Sequence, residues 1–245
     1  MSQLDVMLVV GRVTARALLG RRRTILMALL AGAPVVLGLL VRIGNGPRPS
    51  ALQGSLDGLI VSSVLPLVAL VFGSAALGSE LDDGTGVHLL TKPIPRWAIV
   101  LPKLLVSGGL TAALVVPSTI LSGILLGGAA SHQLGLTFAF AAAVLIGGFL
   151  YSAIFVALGA LTSRGLVIGL AYSLLWEGLL SSALRGTQLF SVREYVRGMA
   201  SALASPGDVQ SVVGGQAFVL AAVAMVIVAA IASARLERYE IRTGD

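Results

Sequence analysis

The sequence predicts an all-α integral membrane protein with six transmembrane helices, on three observations. The chain is 56% hydrophobic and only 11% charged, with a mean hydropathy of +0.96, where a soluble domain carries about 25% charged residues. Its apolar residues fall in charge-free runs at 24–41, 58–79, 104–163 and 209–234, and a further run at 165–184 is interrupted only by Glu177. A helix needs about 20 such residues to cross a hydrocarbon core of roughly 30 Å. Third, the runs are separated by short polar islands with Gly and Pro, the composition of loops at a membrane face.

Residues 1–23 come first. Leu4, Met7, Leu8, Val9, Val13, Ala17 and Leu18 recur at helical spacing among Arg12, Arg16 and the cluster Arg21, Arg22 and Arg23. That pattern predicts an amphipathic interface helix on the inner leaflet. The arginines before an apolar stretch also fit a twin-arginine signal, but the stretch is long and no small-x-small cleavage site closes it. Spans are expected near 24–43 and 56–79. The run 104–163 is too long for one helix, and the turn signals Gly127-Gly128 and Ser131-His132-Gln133 divide it into spans near 104–127 and 135–162. The fifth and sixth are expected near 165–184 and 211–234. Between them, 185–210 carries Leu189, Val192, Tyr195, Val196 and Met199 at three- and four-residue steps, with Arg193, Glu194 and Arg197 interleaved. A second amphipathic helix is predicted there, ended before Ser205-Pro206-Gly207, packing over the bundle or gating the exit of a pathway. The whole chain, 1–245, is one membrane domain.

Charge placement gives an orientation. With both termini in the cytoplasm, 12 of the 17 basic residues fall inside, leaving Arg42, Arg48, Arg185, Arg193 and Arg197 outside. Lys and Arg in short cytoplasmic loops set topology, so a multi-pass protein of the inner (cytoplasmic) membrane with both termini inside is expected. The net charge of +6 then reflects topology and anionic headgroups, and no nucleic-acid partner is expected.

Several chemistries find no support. The chain has no cysteine, so thiolate metal sites and cysteine nucleophiles are excluded. Its two histidines, His88 and His132, fall in loops on opposite sides of the membrane, so no metal site is expected. There is no G-x-x-x-x-G-K-[ST], H-E-x-x-H or G-x-S-x-G, so no catalytic residues, and no cofactor held by this chain, are expected. Asp82-Asp83-Gly84 lacks the further paired acids that a metal-dependent phosphotransferase needs. Glu177 is the carboxylate well inside a predicted span, and an intramembrane acid is a functional candidate by default. It lies about 18 Å from the cytoplasmic end of helix five, at 1.5 Å per residue. Substrate contact or a dimer interface is one reading; structural hydrogen bonding, with Ser173, Trp176 or Ser181 as partner, is the other. Glycine pairs such as Gly123-x-x-x-Gly127 and Gly165-x-x-x-Gly169 permit close helix contact, but 30 glycines produce such spacings by chance.

The richest polar island is 80–103, ELDDGTGVHLLTKPIPRWAIVLPK. Gly84 breaks the end of helix two and Thr85 is suited to cap a new short helix. Val87, Leu89 and Leu90 supply apolar anchors of the helix-in-groove kind. Pro93 and Pro95 end it, and Trp97 suits the interface where helix three begins. Glu80, Gly84-Thr85, Leu89-Leu90, Lys92-Pro93-Ile94, Arg96 and Lys103 together resemble the E…GT…LL…KPI…R…K pattern of type-2 ABC exporter permeases. The six-helix layout, the amphipathic N-terminal helix and the helical loop between helices five and six extend that resemblance over the chain. Gly86 and the doubled Asp82-Asp83 are local departures. The resemblance implies a permease that pairs with a second copy or a related permease, and that recruits two copies of a separate P-loop ATPase, where ATP and Mg are held. Glu80, Gly84, Thr85, Val87, Leu89, Leu90, Lys92, Pro93 and Arg96 then form the cytoplasmic coupling segment. A hydrophobic or amphipathic substrate is expected. An ion-coupled secondary transporter, which would have Glu177 alone at mid-depth, and an integral membrane enzyme are the other classes considered.

Overall fold

The computed structural model describes residues 3–82, 95–162, 164–180 and 187–241, which are helical apart from short turns and contain no strand. Helix α1 is Gln3–Leu18 and α2 is Arg21–Asn45. Helix α3 covers 49–82 in three parts: Pro49–Gln53 is α-helical, Gly54–Val64 is a π-helix, and Leu65–Asp82 is α-helical again. Helix α4 is Trp97–Gly127 and α5 is Ser131–Leu161. Helix α6 covers 165–180, α-helical over Gly165–Ala171 and π-helical over Tyr172–Leu180. A 3₁₀ turn at Thr187–Phe190 leads into α7, Val192–Leu203, and a second at Gly214–Gln216 into α8, Ala217–Ile241.

Among the described residues five helical stretches are long and apolar enough to cross a membrane: Arg22–Gly44, Pro49–Leu77, Trp97–Gly127, Ser131–Leu161 and Gly214–Arg235. They are not equivalent. The spans of α3, α4 and α5 are 67%, 56% and 67% buried within the chain, while those of α2 and α8 are each 17% buried. The core is therefore an α3–α4–α5 bundle. Helices α1 and α2 pack on α4, α7 and α8 on α5, and α6 against α5 and α3. Most of the surface of α2 and α8 is left to lipid or to another chain.

Without a hydrophobic drive between helices in lipid, close packing has to come from small residues. A Cβ built on Gly73 of α3 would stand 2.7 Å from Phe155 Cβ of α5, and one on Gly123 of α4 would stand 2.3 Å from Thr137 of α5. Gly169 brings α6 equally close to Leu70. Several buried hydroxyls are satisfied within their own helices: Ser74 donates to Leu70 O at 2.6 Å, Thr119 to Val115 O at 2.8 Å and Ser173 to Gly169 O at 3.0 Å. Ser118 of α4 instead donates across to Ala31 O of α2.

The π segment of α3 shows in its bonds. Leu65 donates its N–H to Ile60 O, five residues back, and Ser62 Oγ donates to Asp57 O, also five back, at 2.7 Å. Pro66 follows; it has no N–H, and its ring crowds the carbonyl four residues earlier.

Several expected boundaries are corrected. The amphipathic helix ends at Leu18, so Arg21, Arg22 and Arg23 open α2 instead of closing α1. Helix three begins at Trp97, where the interface reading put it, and extends the span expected from 104, because the charge of Lys103 does not end a helix when its ammonium is bonded inward to Ala76 O at 2.6 Å. Helix two likewise begins at Pro49, ahead of Asp57. Ser131, His132 and Gln133 are the first turn of α5, and the turn before them is Gly128–Ala130, where Gly128 takes a φ of 78°. The expected fifth span, 165–184, is helical over 165–180, and 181–184 lie outside the described residues.

The glycine contacts predict an asymmetric pair of variants. Gly73→Ala drives a methyl into Phe155 and is expected to destabilise by about 1–3 kcal/mol, the usual cost of overpacking. Gly109→Ala, where nothing lies within 4 Å, is expected to leave stability unchanged or raise it by up to about 1 kcal/mol through helix propensity. Thermal unfolding in detergent measures both, and equal melting temperatures would refute the α3–α5 contact.

Candidate functional site

Two ends of the bundle carry the polar chemistry. At one of them, α7 packs against α5 and is bonded to α3 and α6, and its N-terminus is capped throughout. Four backbone N–H groups at a helix start have no partner inside the helix. Here Ser191 N–H donates to Gln188 O at 3.1 Å. Val192 N–H and Arg193 N–H donate to the Glu177 carboxylate of α6 at 2.8 and 3.3 Å. Glu194 N–H donates to Ser191 Oγ at 3.3 Å. Glu177 is 2% exposed, and it also accepts from Tyr172 Oη at 2.9 Å and Ser191 Oγ at 2.6 Å. A carboxylate at a helix N-terminus gains from charge-assisted hydrogen bonds and from the helix dipole. That is how an acid is held in an apolar setting.

The same helix reaches α3 through its side chains. Arg193 and Arg197, one turn apart, meet the Asp57 carboxylate at 3.2 and 3.3 Å. Glu194, also buried, accepts from Ser211 Oγ at 2.9 Å, Val212 N–H at 2.7 Å and Arg197 at 3.3 Å, which orders the turn leading into α8. Nearby, His132 at the start of α5 pairs with Asp208 at 3.0 Å, and Gln53 donates to Asp208 O at 2.8 Å. Tyr195 donates to Leu189 O. Burial, and then the charge of Glu177, push its phenol above the ordinary value, which keeps it a donor.

Of this hub, sequence reasoning singled out Glu177 but proposed Ser173, Trp176 and Ser181 as partners. Ser173 bonds its own helix, Trp176 donates to Phe190 O at 3.4 Å, and Ser181 lies outside the described residues. Asp57, Glu194, Tyr172 and Ser191 were missed as a group. One signal was readable: Ser191-Val192-Arg193-Glu194 is a capping-box pattern before an apolar periodicity. The long-range pairing of Asp57 with the two arginines left none.

The other polar end is where α3 finishes and α4 begins, on either side of residues 83–94. Gly84, Thr85, Val87, Leu89, Leu90, Lys92 and Pro93 lie outside the described residues, and Glu80 is placed as backbone within α3. Arg96 immediately precedes α4, is 6% exposed, and its carbonyl accepts from Ile99 and Val100 N–H. Lys103, one turn and a half into α4, is fully buried with its ammonium on Ala76 O toward the C-terminal end of α3, where a cation is favoured. The two helices that flank the segment are thus tied together at its base. Among the described residues no three His, Asp or Glu side chains group as metal ligands.

The hub makes a specific prediction. Glu177→Gln keeps the shape but replaces one acceptor oxygen with an NH₂, so either the Val192 or the Arg193 amide loses its acceptor. A loss of about 1.5–3 kcal/mol is expected for charged hydrogen bonds left unmade. Thermal melting together with faster amide exchange at the start of α7 measures it; exchange as slow as in the parent would show that the carboxylate does not hold this helix.

No similar protein is found among curated proteins. A match to the ABC-2 family transporter proteins spans residues 47–180, taking in α3, the 80–103 segment, α4, α5 and all of the described α6. Permeases of this family are membrane components of transporters and normally work with an ATP-binding cassette partner. On that match, and with five apolar helices able to cross a membrane, the chain belongs to the ABC-2 family transporter proteins.

Proposed function

We propose that this chain is the transmembrane permease subunit of an ABC exporter, moving a hydrophobic or amphipathic substrate with ATP hydrolysed by a separate ATPase. The observation that carries the reading is the family match running unbroken across 80–103 and the helices on either side of it. In this reading 165–184 completes a set of six spans, both termini are cytoplasmic, and the protein sits in the inner membrane. The coupling segment comprises Glu80, Gly84, Thr85, Val87, Leu89, Leu90, Lys92, Pro93 and Arg96, and it presents its leucines to a groove on the ATPase. Two permeases, either identical or related, assemble with two ATPases that hold ATP and Mg.

Motion of the coupling segment passes to α3 and α4, which share the buried Lys103 contact at its base. The sparsely buried faces of α2 and α8 leave apolar area for a second permease. A bundle rich in Leu, Val, Ala and Gly, with few charges, suits a substrate that is itself largely apolar. Glu177 stands beside the pathway or the dimer interface. Because its carboxylate is already engaged by four donors, its part in transport is to hold α7 in position.

The test is a leucine in the coupling segment. Loss of one interface side chain, Leu89→Ala, is expected to cost about 2 kcal/mol at a hot spot, which is roughly thirtyfold in association. Leu89→Glu places an unpaired carboxylate in the partner groove and is expected to abolish ATPase co-purification or uncouple hydrolysis from transport. Membrane insertion should be unaffected, since the position lies between spans. Full transport with a normal complement of bound ATPase in Leu89→Glu would overturn the coupling role. The purified permease alone is expected to hydrolyse no ATP, and measurable turnover by a rigorously pure single subunit would refute the division of labour.

A further inference from the structure

Helix α1 does not close completely on α4. Between them lies a half-open cleft of about 540 Å³, walled by Met7, Leu8, Gly11 and Ala15 on one side and by Pro102 and Leu105 on the other. That volume falls in the roughly 300–1,000 Å³ range of small-molecule sites. The walls are apolar, and the one charged residue among those lining the cleft is Arg12. Its mouth is bordered by side chains that face away from the protein: Leu8 is 73% exposed and Leu105 49% exposed. In a chain whose α4 crosses a membrane, bilayer covers such residues.

We propose that this cleft is a binding site for an anionic phospholipid, which inserts an acyl chain between α1 and α4 and sets its headgroup on Arg12. The apolar walls match the chain and exclude a polar ligand. Charge selects the headgroup. Arg12 and Arg16 are both exposed and lie one turn apart on α1, with the α2 arginines just beyond, and Asp5 at the far end is the acid of this helix. Lys103, although next to Pro102, is turned inward to Ala76 O and takes no part. Gly11 helps make the room. A Cβ there would sit 3.8 Å from both Pro102 and Val106, an ordinary contact, but any longer side chain enters the cleft. The site rests on the membrane placement of α4 and is independent of ATPase coupling.

The experiment uses the purified full chain in nanodiscs with phosphatidylglycerol or phosphatidylcholine bearing the same diazirine-labelled acyl chain, and maps crosslinks by peptide mass spectrometry. Labelling is expected to concentrate on residues 7–15 and 102–106, and to be about fivefold stronger for phosphatidylglycerol at low salt, the effect of one arginine at an anionic surface. Arg12→Gln should reduce phosphatidylglycerol labelling to the phosphatidylcholine level. Gly11→Leu should suppress both without changing the melting temperature. Labelling of these peptides no stronger than on the lipid-facing sides of α2 and α8 would overturn the site, as would equal labelling by the two headgroups. A chain that still binds its ATPase but fails this test loses the lipid site alone.

Discussion

A helix packed into a membrane bundle begins with backbone amides that its own turns cannot satisfy, and the bilayer offers little water to replace them. In this protein one buried carboxylate answers for two of those amides. Glu177 accepts from the first two N–H groups of α7 while Ser191 takes the third. The arrangement works in both directions. The helix N-terminus supplies the positive potential that allows an acid to be 2% exposed, and the acid supplies the acceptors without which α7 could not start where it does. Without the carboxylate the two amides would be buried and unpaired, and without the amides the carboxylate would lose two of its four donors.

The second acid extends the logic to α3. Asp57 and Glu177 stand in the two π-helical stretches of the chain's described residues, and both reach α7, one through its backbone and the other through Arg193 and Arg197. A π turn advances side chains by a different angle from an α turn, so these stretches set where the acids point. Helix α7 is consequently fastened to α3 and α6 by charge, to α5 by packing at Gly147, where a Cβ would stand 2.4 Å from Val196, and to the turn ahead of α8 through Glu194.

The class of fold was legible because length and hydropathy alone force it: runs near 20 residues with no charge have few alternatives. Helix ends were less legible, for a reason that Lys103 and Asp57 illustrate. Sequence treats a charge as the edge of a span, yet each of these finds a partner that lets it sit inside a helix. The amphipathic helix at 192–203 was readable from its periodicity and its Ser191–Glu194 cap. What it grips was not, because Asp57 and Arg193 are 136 residues apart and one sequence carries no record of which distant charges meet. The glycine spacings show the same limit in reverse. Gly123 and Gly169 do sit at tight helix contacts, but among so many glycines their spacing could not be told from chance.

The two polar ends of the bundle are joined by rigid material. Helix α3 runs from Asp57 at the α7 end to the start of the 80–103 segment, and α4 returns from that segment along it. Between them Lys103 fixes the base, while Gly73 and Gly123 leave no slack against α5, since even a methyl group there would collide. Close-packed interiors transmit displacement instead of absorbing it. The contacts on either side of this packed block share its helices: α3 carries Ala76, which accepts from Lys103, and also Asp57, which meets Arg193 and Arg197. Much of the attraction in apolar packing this tight is lost with a gap of about 1 Å, so α3 cannot be repositioned against α5 without cost, and the place of Asp57 opposite α7 is set by the same packing that holds Gly73 against Phe155.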